Sequence, residues 1–254
     1  MNITEKRYIP QDLYPFVKTL QYDKTPIKLL GSAGTASQRY YSDYDMFSSV
    51  SSNDCKKVYD TINSIIERAE NNPNMYFIEY KLQRRQGTTP QKIREIPDDL
   101  KKFCEYFRNV EYIKLDYIVR IQNKFIELSI IYSFSRGEED FRESVKKDIR
   151  ELCEEGKYYK VLKRIFSIVS KERKSIDRDN KLILLTNFFN SDVGKMYQDA
   201  SNLRAIKLLL ENYEDEDTRR KAELNLRDLK MKLSDIGKLE RKYNKEAEKV
   251  LKQL

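Results

Sequence analysis

The spacing of hydrophobic positions changes near residue 140. Before it, short runs of alternating or β-branched residues are separated by polar stretches, the pattern of strands with one face buried. This predicts strands at 27–30 (IKLL), 43–50 (DYDMFSSV), 74–83 (NMYFIEYKLQ), 110–122 and 124–134. The last two meet at Asn123, which reads as a hairpin turn. Between the second and third strands, Val58, Ile62, Ile65 or Ile66, and Ala69 recur at helical spacing. Ser52 or Asn53 is placed to cap that helix, and Asn71, Asn72 and Pro73 to end it. Residues 84–109 read as a basic loop followed by a short helix capped near Asp98.

Past Gly137 the period is helical throughout. The segment EEDFRESVKKDIRELCEEG closes on Gly156, a natural C-cap. Further helices follow in KYYKVLKRIFSIVSKERK, LILLTNFFN and SDVGKMYQDASNLRAIKLLLENY. From Ala222 to Leu254 apolar residues step by threes and fours, interrupted only by Glu240, as in a coiled-coil seam. Gly237 is expected to break this tail into an α-hairpin packed on its own domain; the alternative use of the seam is self-association. The expected architecture is α+β: a mixed sheet with flanking helices over residues 1–140, then an all-α domain over 141–254.

Composition narrows the chemistry. Charged residues make up 35% and the mean hydropathy is -0.76, yet 39% of the 254 residues are apolar, enough for a core. No apolar run approaches the roughly 20 residues of a bilayer span, and MNITEKRYIPQDLY lacks the apolar centre of a signal peptide. A soluble, cytoplasmic protein with no membrane partner is expected. Cys55, Cys104 and Cys153 are widely scattered without a C-x-x-C pair, so three reduced cysteines are expected. There is no histidine. That excludes Ser-His-Asp and Cys-His nucleophiles and His-ligated metals, and leaves carboxylates holding a hard cation such as Mg²⁺ as the leading route to catalysis.

The net charge of +8 is uneven: residues 1–140 hold 21 Lys and Arg against 20 Asp and Glu, leaving 28 against 21 for residues 141–254. A basic second half suits a polyanionic partner, although it equally describes a lysine-rich solvated surface.

The stretch GSAGTASQRYYSDYDMF, residues 31–47, concentrates the candidate chemistry. Gly31 and Ser32 follow a strand and precede a short helix, where a glycine admits close approach of a phosphate and backbone N–H groups receive it. Asp43 and Asp45 stand two apart in a strand and so share a face. Two adjacent carboxylates repel unless a cation lies between them. Together these are the parts needed to hold a triphosphate and its Mg²⁺. A third carboxylate is expected from Asp116, an acid inside the apolar strand IKLDYIV, with Glu79 and Glu127 as competitors. Lys160, Lys163 and Arg164, on the polar side of an amphipathic helix, are candidates to hold triphosphate or acceptor backbone. SDVGK at 191–195 is read mainly as a helix start capped by Ser191, and RRQG with Lys81 as an exposed basic loop within reach of a nucleic-acid strand.

Gly31-Ser32, ten intervening residues, Asp43-Tyr44-Asp45-Met46 and the later Leu115-Asp116-Tyr117 resemble the DNA polymerase β-like nucleotidyltransferase superfamily. YYSDYDMF and YYKVLKRIFS also resemble uncharacterised nucleotidyltransferases of large DNA viruses. The superfamily resemblance covers about residues 25–134. It implies a nucleotidyltransferase-like mixed sheet with a helical domain as the other wall of a cleft. It implies transfer of a nucleoside monophosphate from an NTP to an acceptor hydroxyl with release of pyrophosphate. By the same resemblance Gly31 and Ser32 hold the β- and γ-phosphates, and Asp43 and Asp45 ligate two Mg²⁺ ions. Asp116 ligates the catalytic ion and helps deprotonate the acceptor. An RNA 3′ end is the expected acceptor, with ATP-using, poly(A)-polymerase-like or other tailing. The competing expectations are an inactive nucleic-acid-binding or scaffold protein on the same fold, and an enzyme that nucleotidylates a protein or small molecule.

Overall fold

The structure is a computed structural model that describes residues 11–30, 43–50, 54–84, 91–93, 99–107, 110–134 and 149–254. It divides into two units. One comprises Tyr8–Leu30 and Tyr44–Phe141, the other Met1–Arg7, Gly31–Asp43 and Arg142–Leu254.

The first unit is built on a six-stranded sheet. Its strands are β1 (Lys28–Leu29), β2 (Asp43–Ser49), β3 (Met75–Arg84), β4 (Gln91–Ile93), β5 (Val110–Ile121) and β6 (Lys124–Ser133), in the spatial order β1-β2-β6-β5-β3-β4. The neighbours β1–β2, β6–β5, β5–β3 and β3–β4 are antiparallel. At the β2–β6 junction, Val50 N–H donates to Ser133 O at 2.7 Å, and Phe47 packs with Ile131. That pairing fits only a parallel register with Phe47 beside Ile131, so the sheet is mixed as expected.

The β5–β6 hairpin turns through Gln122 and Asn123, both with positive φ (46° and 62°), which matches the right-handed twist of the strands. Along β5, Ile113, Leu115, Tyr117 and Val119 are buried on one face, paired with Tyr132, Ile130, Leu128 and Ile126. The opposite face carries Tyr112, Lys114, Asp116 and Ile118. A register shift between Phe77 and Glu79 inserts an extra residue into β3 and re-aims its second half. Tyr80 and Leu82 then join the apolar face, and Glu79 and Lys81 the polar one.

Helix α1 (Tyr14–Thr19) and helix α2 (Cys55–Glu70) belong to this unit. The apolar stripe of α2, Val58, Ile62, Ile65 and Ala69, is buried, each aliphatic side chain contributing about 1.5–3 kcal/mol. Its cap is Asp54, whose Oδ1 accepts from Lys56 N (3.0 Å) and Lys57 N (3.3 Å), rather than Ser52 or Asn53. Likewise Asp99 Oδ1 accepts from Lys101 N at the start of α3 (Leu100–Phe107). Arg68 donates to the carbonyls of Thr19 and Gln21, tying the end of α2 to that of α1.

Two cysteine expectations are corrected here. Cys55, at the first turn of α2, and Cys104, in α3, form a disulfide with Cα atoms 5.6 Å apart; only Cys153 is free. A separation of 49 residues carries no signature in the sequence, because the pairing depends on two helices meeting in space.

The second unit is helical: α4 (Ile149–Glu154), α5 (Tyr158–Val169), α6 (Ile176–Phe189), α7 (Asp192–Asn212), α8 (Glu216–Leu229) and α9 (Ile236–Leu251). Gly156 (φ 67°) ends α4 as predicted. The core joins Tyr159, Leu162 and Phe166 of α5 to Phe189 of α6, Tyr197 of α7, and Tyr243 and Ala247 of α9. The C-terminal seam is thus spent within the unit. Its break falls at Lys230, in the left-handed region (φ 54°), and not at Gly237, which lies inside α9. No helix among the described residues is long and apolar enough to cross a membrane.

Candidate functional site

Asp43 opens β2 and Asp45 follows on the same face, while Tyr44 and Met46 point into the core. Phe47 continues the face of the two acids. Through its contact with Ile131 it shows that this is the face of β6 bearing Glu127, Ser129 and Ile131. Asp45 comes level with Ser129 when the parallel register is followed two residues back. Glu127 lies two residues further along the same face of β6.

Asp116 projects from the same face of the sheet, but from β5, one strand further away. Strands are about 4.8 Å apart, so β5 stands about 10 Å from β2. Its carboxylate is occupied on both oxygens. Lys114 Nζ lies 2.8 Å from Oδ1 and Lys81 Nζ 2.8 Å from Oδ2, and Ser129 donates a short hydrogen bond to Oδ1. Lys81 also pairs with Glu79. The two acids and two lysines balance to zero. Burial pushes the Asp116 pKa up, but the Lys114 charge and the bonds from Lys114, Lys81 and Ser129 outweigh it and hold the group below its ordinary value. For Lys81, burial acts downward and is overcome by the bonds to Asp116 and Glu79, which raise the pKa. The partner that an acid in so apolar a strand requires is therefore supplied by lysines. Lys81 belongs to this cluster rather than to a basic loop.

Within the helical unit, Lys163 of α5 reaches Asp43, with Nζ 3.0 Å from Oδ1. The same ammonium lies 5.1 Å from the centroid of the Tyr197 ring, and the Arg204 guanidinium lies 5.9 Å from it. Tyr197 stacks on Tyr159 at 3.9 Å, fixing that platform. Lys160, one turn before Lys163, has its pKa lowered by desolvation first and then by the charges of Lys157 and Arg204, against the pull of Asp43. Arg164, next to Lys163, is half-buried. Four cations thus act around a single carboxylate. Tyr197 and Arg204 are members that sequence reasoning missed, since only the packing of α7 on α5 brings them there.

Gly31 and Ser32 lie outside the described residues. Ser191 caps α7 by accepting from Val193 N, the plainer of the two readings of SDVGK. Among the described residues no group of three or more Cys, Asp or Glu side chains is arranged to hold a metal ion. The donor chemistry on the β2–β6 face, aspartates at i and i+2 with a glutamate on the adjoining strand, is of the hard-oxygen kind that suits Mg²⁺.

No protein-family model matches the chain, and no curated protein does. Solved structures do. The Mg662 protein of M. chilensis, complexed with GTP, superposes with a TM-score of 0.64 at 12% identity, covering 95% of this chain and 94% of that one. A protein described as a new nucleotidyl transferase encoded by a Megaviridae ORFan gene gives 0.67 at 13% identity, over 94% and 83% of the two chains. A further structure with the same description gives 0.58 at 11%, over 84% and 74%. The chain has the fold of these proteins.

Proposed function

We propose that this protein transfers a nucleoside monophosphate from an NTP to an acceptor hydroxyl, with an RNA 3′ end as the acceptor. The observation that carries the reading is Asp43 and Asp45, side by side on β2, with cations gathered around Asp43. The fold shared with proteins described as nucleotidyl transferases supports the reaction class, and the GTP held by the Mg662 protein supports an NTP as donor.

The acceptor oxygen attacks the α-phosphorus, forming a new P–O bond while the bond to the bridging β-phosphate oxygen breaks and pyrophosphate leaves. Bound Mg²⁺, as a pair of ions, supplies neutralisation of the charge that develops on the phosphate oxygens. Asp43, Asp45 and Glu127 are the residues proposed to hold it. Glu127 is preferred to Asp116 because β6 adjoins β2 and because Asp116 is already bound by two lysines. The hydroxyl proton passes to the Glu127 carboxylate. Gly31, Ser32, Lys160, Lys163 and Arg164 are proposed to hold the triphosphate.

The test incubates protein, Mg²⁺ and a labelled RNA oligonucleotide with each NTP in turn. Extension by wild type that is lost in Asp43→Ala and Asp45→Ala is expected; equal extension by all three overturns the reading. A second reading, a nucleic-acid-binding protein without activity, is favoured by one observation: no acid trio is preassembled among the described residues. Salt-sensitive RNA binding without extension would select it.

A further inference from the structure

Lys163 is an unusual neighbour for a metal ligand. Its ammonium lies 3.0 Å from Asp43 Oδ1, and its side chain is only 14% exposed, against 37% for Asp43. The contact neutralises the first acid of the pair and lessens the repulsion between Asp43 and Asp45. The lysine stem is anchored by the packing of α5, and the Tyr197 face attracts the ammonium 5.1 Å away. The charge therefore has a second resting place within a short swing of Asp43.

We infer that Lys163 is a positioning residue that occupies Asp43 while no divalent cation is bound and moves to the triphosphate when the metal–nucleotide complex arrives. This rests on Asp43 being a metal ligand, as proposed above. A divalent cation at Asp43 repels the ammonium, and a triphosphate attracts it, so one event drives the exchange. Lys160 and Arg204 lie on the same side and, with Lys163 on the acid, lack a comparable charge to neutralise them together. The arrangement makes bare metal a poor ligand and metal with nucleotide a good one. The protein would then select the NTP complex over free Mg²⁺.

The test measures Mn²⁺ binding by electron paramagnetic resonance, without nucleotide, for wild type, Lys163→Met, Lys163→Arg and Asp43→Asn. GTP binding in the presence of Mn²⁺ is then measured by calorimetry. Lys163→Met is expected to bind Mn²⁺ alone about fivefold more tightly, the size of one ion pair removed, and GTP with Mn²⁺ more weakly. Lys163→Arg should keep Mn²⁺ binding near wild type. Tightening cannot come from a misfolded variant. Unchanged or weaker Mn²⁺ binding by Lys163→Met, alongside a loss in Asp43→Asn, overturns the exchange alone. Unchanged binding by Asp43→Asn overturns the assignment of Asp43 as a ligand.

Discussion

Lys81 Nζ of β3 sits 2.8 Å from Asp116 Oδ2 of β5, across a strand pair in which a register shift beside Glu79 brings both residues onto the polar face. The pair supplies the partner an acid in an apolar strand needs, and it makes Asp116 a structural element of the sheet.

Its contribution to stability is testable by pH. The folded-state pKa of Asp116 is depressed, so its stabilisation is present above the unfolded value near about 3.9 and is lost as pH falls through the folded value. Asp116→Asn should cost about 1–3 kcal/mol at neutral pH, since it leaves two half-buried lysines short of an acid. Urea denaturation should show the gap to wild type closing as pH falls below about 4.

Activity separates the two candidate third acids. Glu127→Gln should lower turnover by about 10²-fold or more with little change in KM, the scale of a lost ligand or base. Asp116→Asn, compared at a temperature where both are folded, should stay within about tenfold of wild type. The reverse ranking would return the role to Asp116.

Disulfide formation is read by alkylation of the unreduced protein followed by mass spectrometry. One thiol, Cys153, should label before reduction and all three after it. Cys104→Ser should cost about 2–4 kcal/mol, because the bridge closes a long loop in the unfolded chain.

Tyr159 offers a different test of packing. It is fully buried, its hydroxyl finds no hydrogen-bond partner among the described residues, and its ring meets those of Phe188, Phe189, Tyr197 and Tyr243. Tyr159→Phe should leave stability unchanged or raise it by up to about 1 kcal/mol, whereas Tyr159→Ala should cost about 3–5 kcal/mol. Thermal melts of the two variants decide.

Lys230 ends α8 with a left-handed backbone that favours glycine. Lys230→Gly should stabilise by about 0.5–1 kcal/mol, seen as a rise in Tm.

Periodicity by itself determined the strands from β2 to β6 apart from the short β4, the α2 stripe, the Asn123 turn, the Gly156 cap and the helical second half. Those features depend on neighbours a few residues away, and spacing reports such neighbours. The same locality made Asp43 and Asp45 legible as a pair, since alternation puts i and i+2 on one face whatever the sheet order. Strand order was decided only by tertiary structure. It set β6 rather than β5 beside β2, and with that which acid adjoins the pair. The Cys55–Cys104 bridge, the lysines on Asp116, and Tyr197 and Arg204 around Lys163 have the same origin. Each joins residues far apart in the chain, through contacts whose energy depends on packing and charge in space and leaves no period in the sequence.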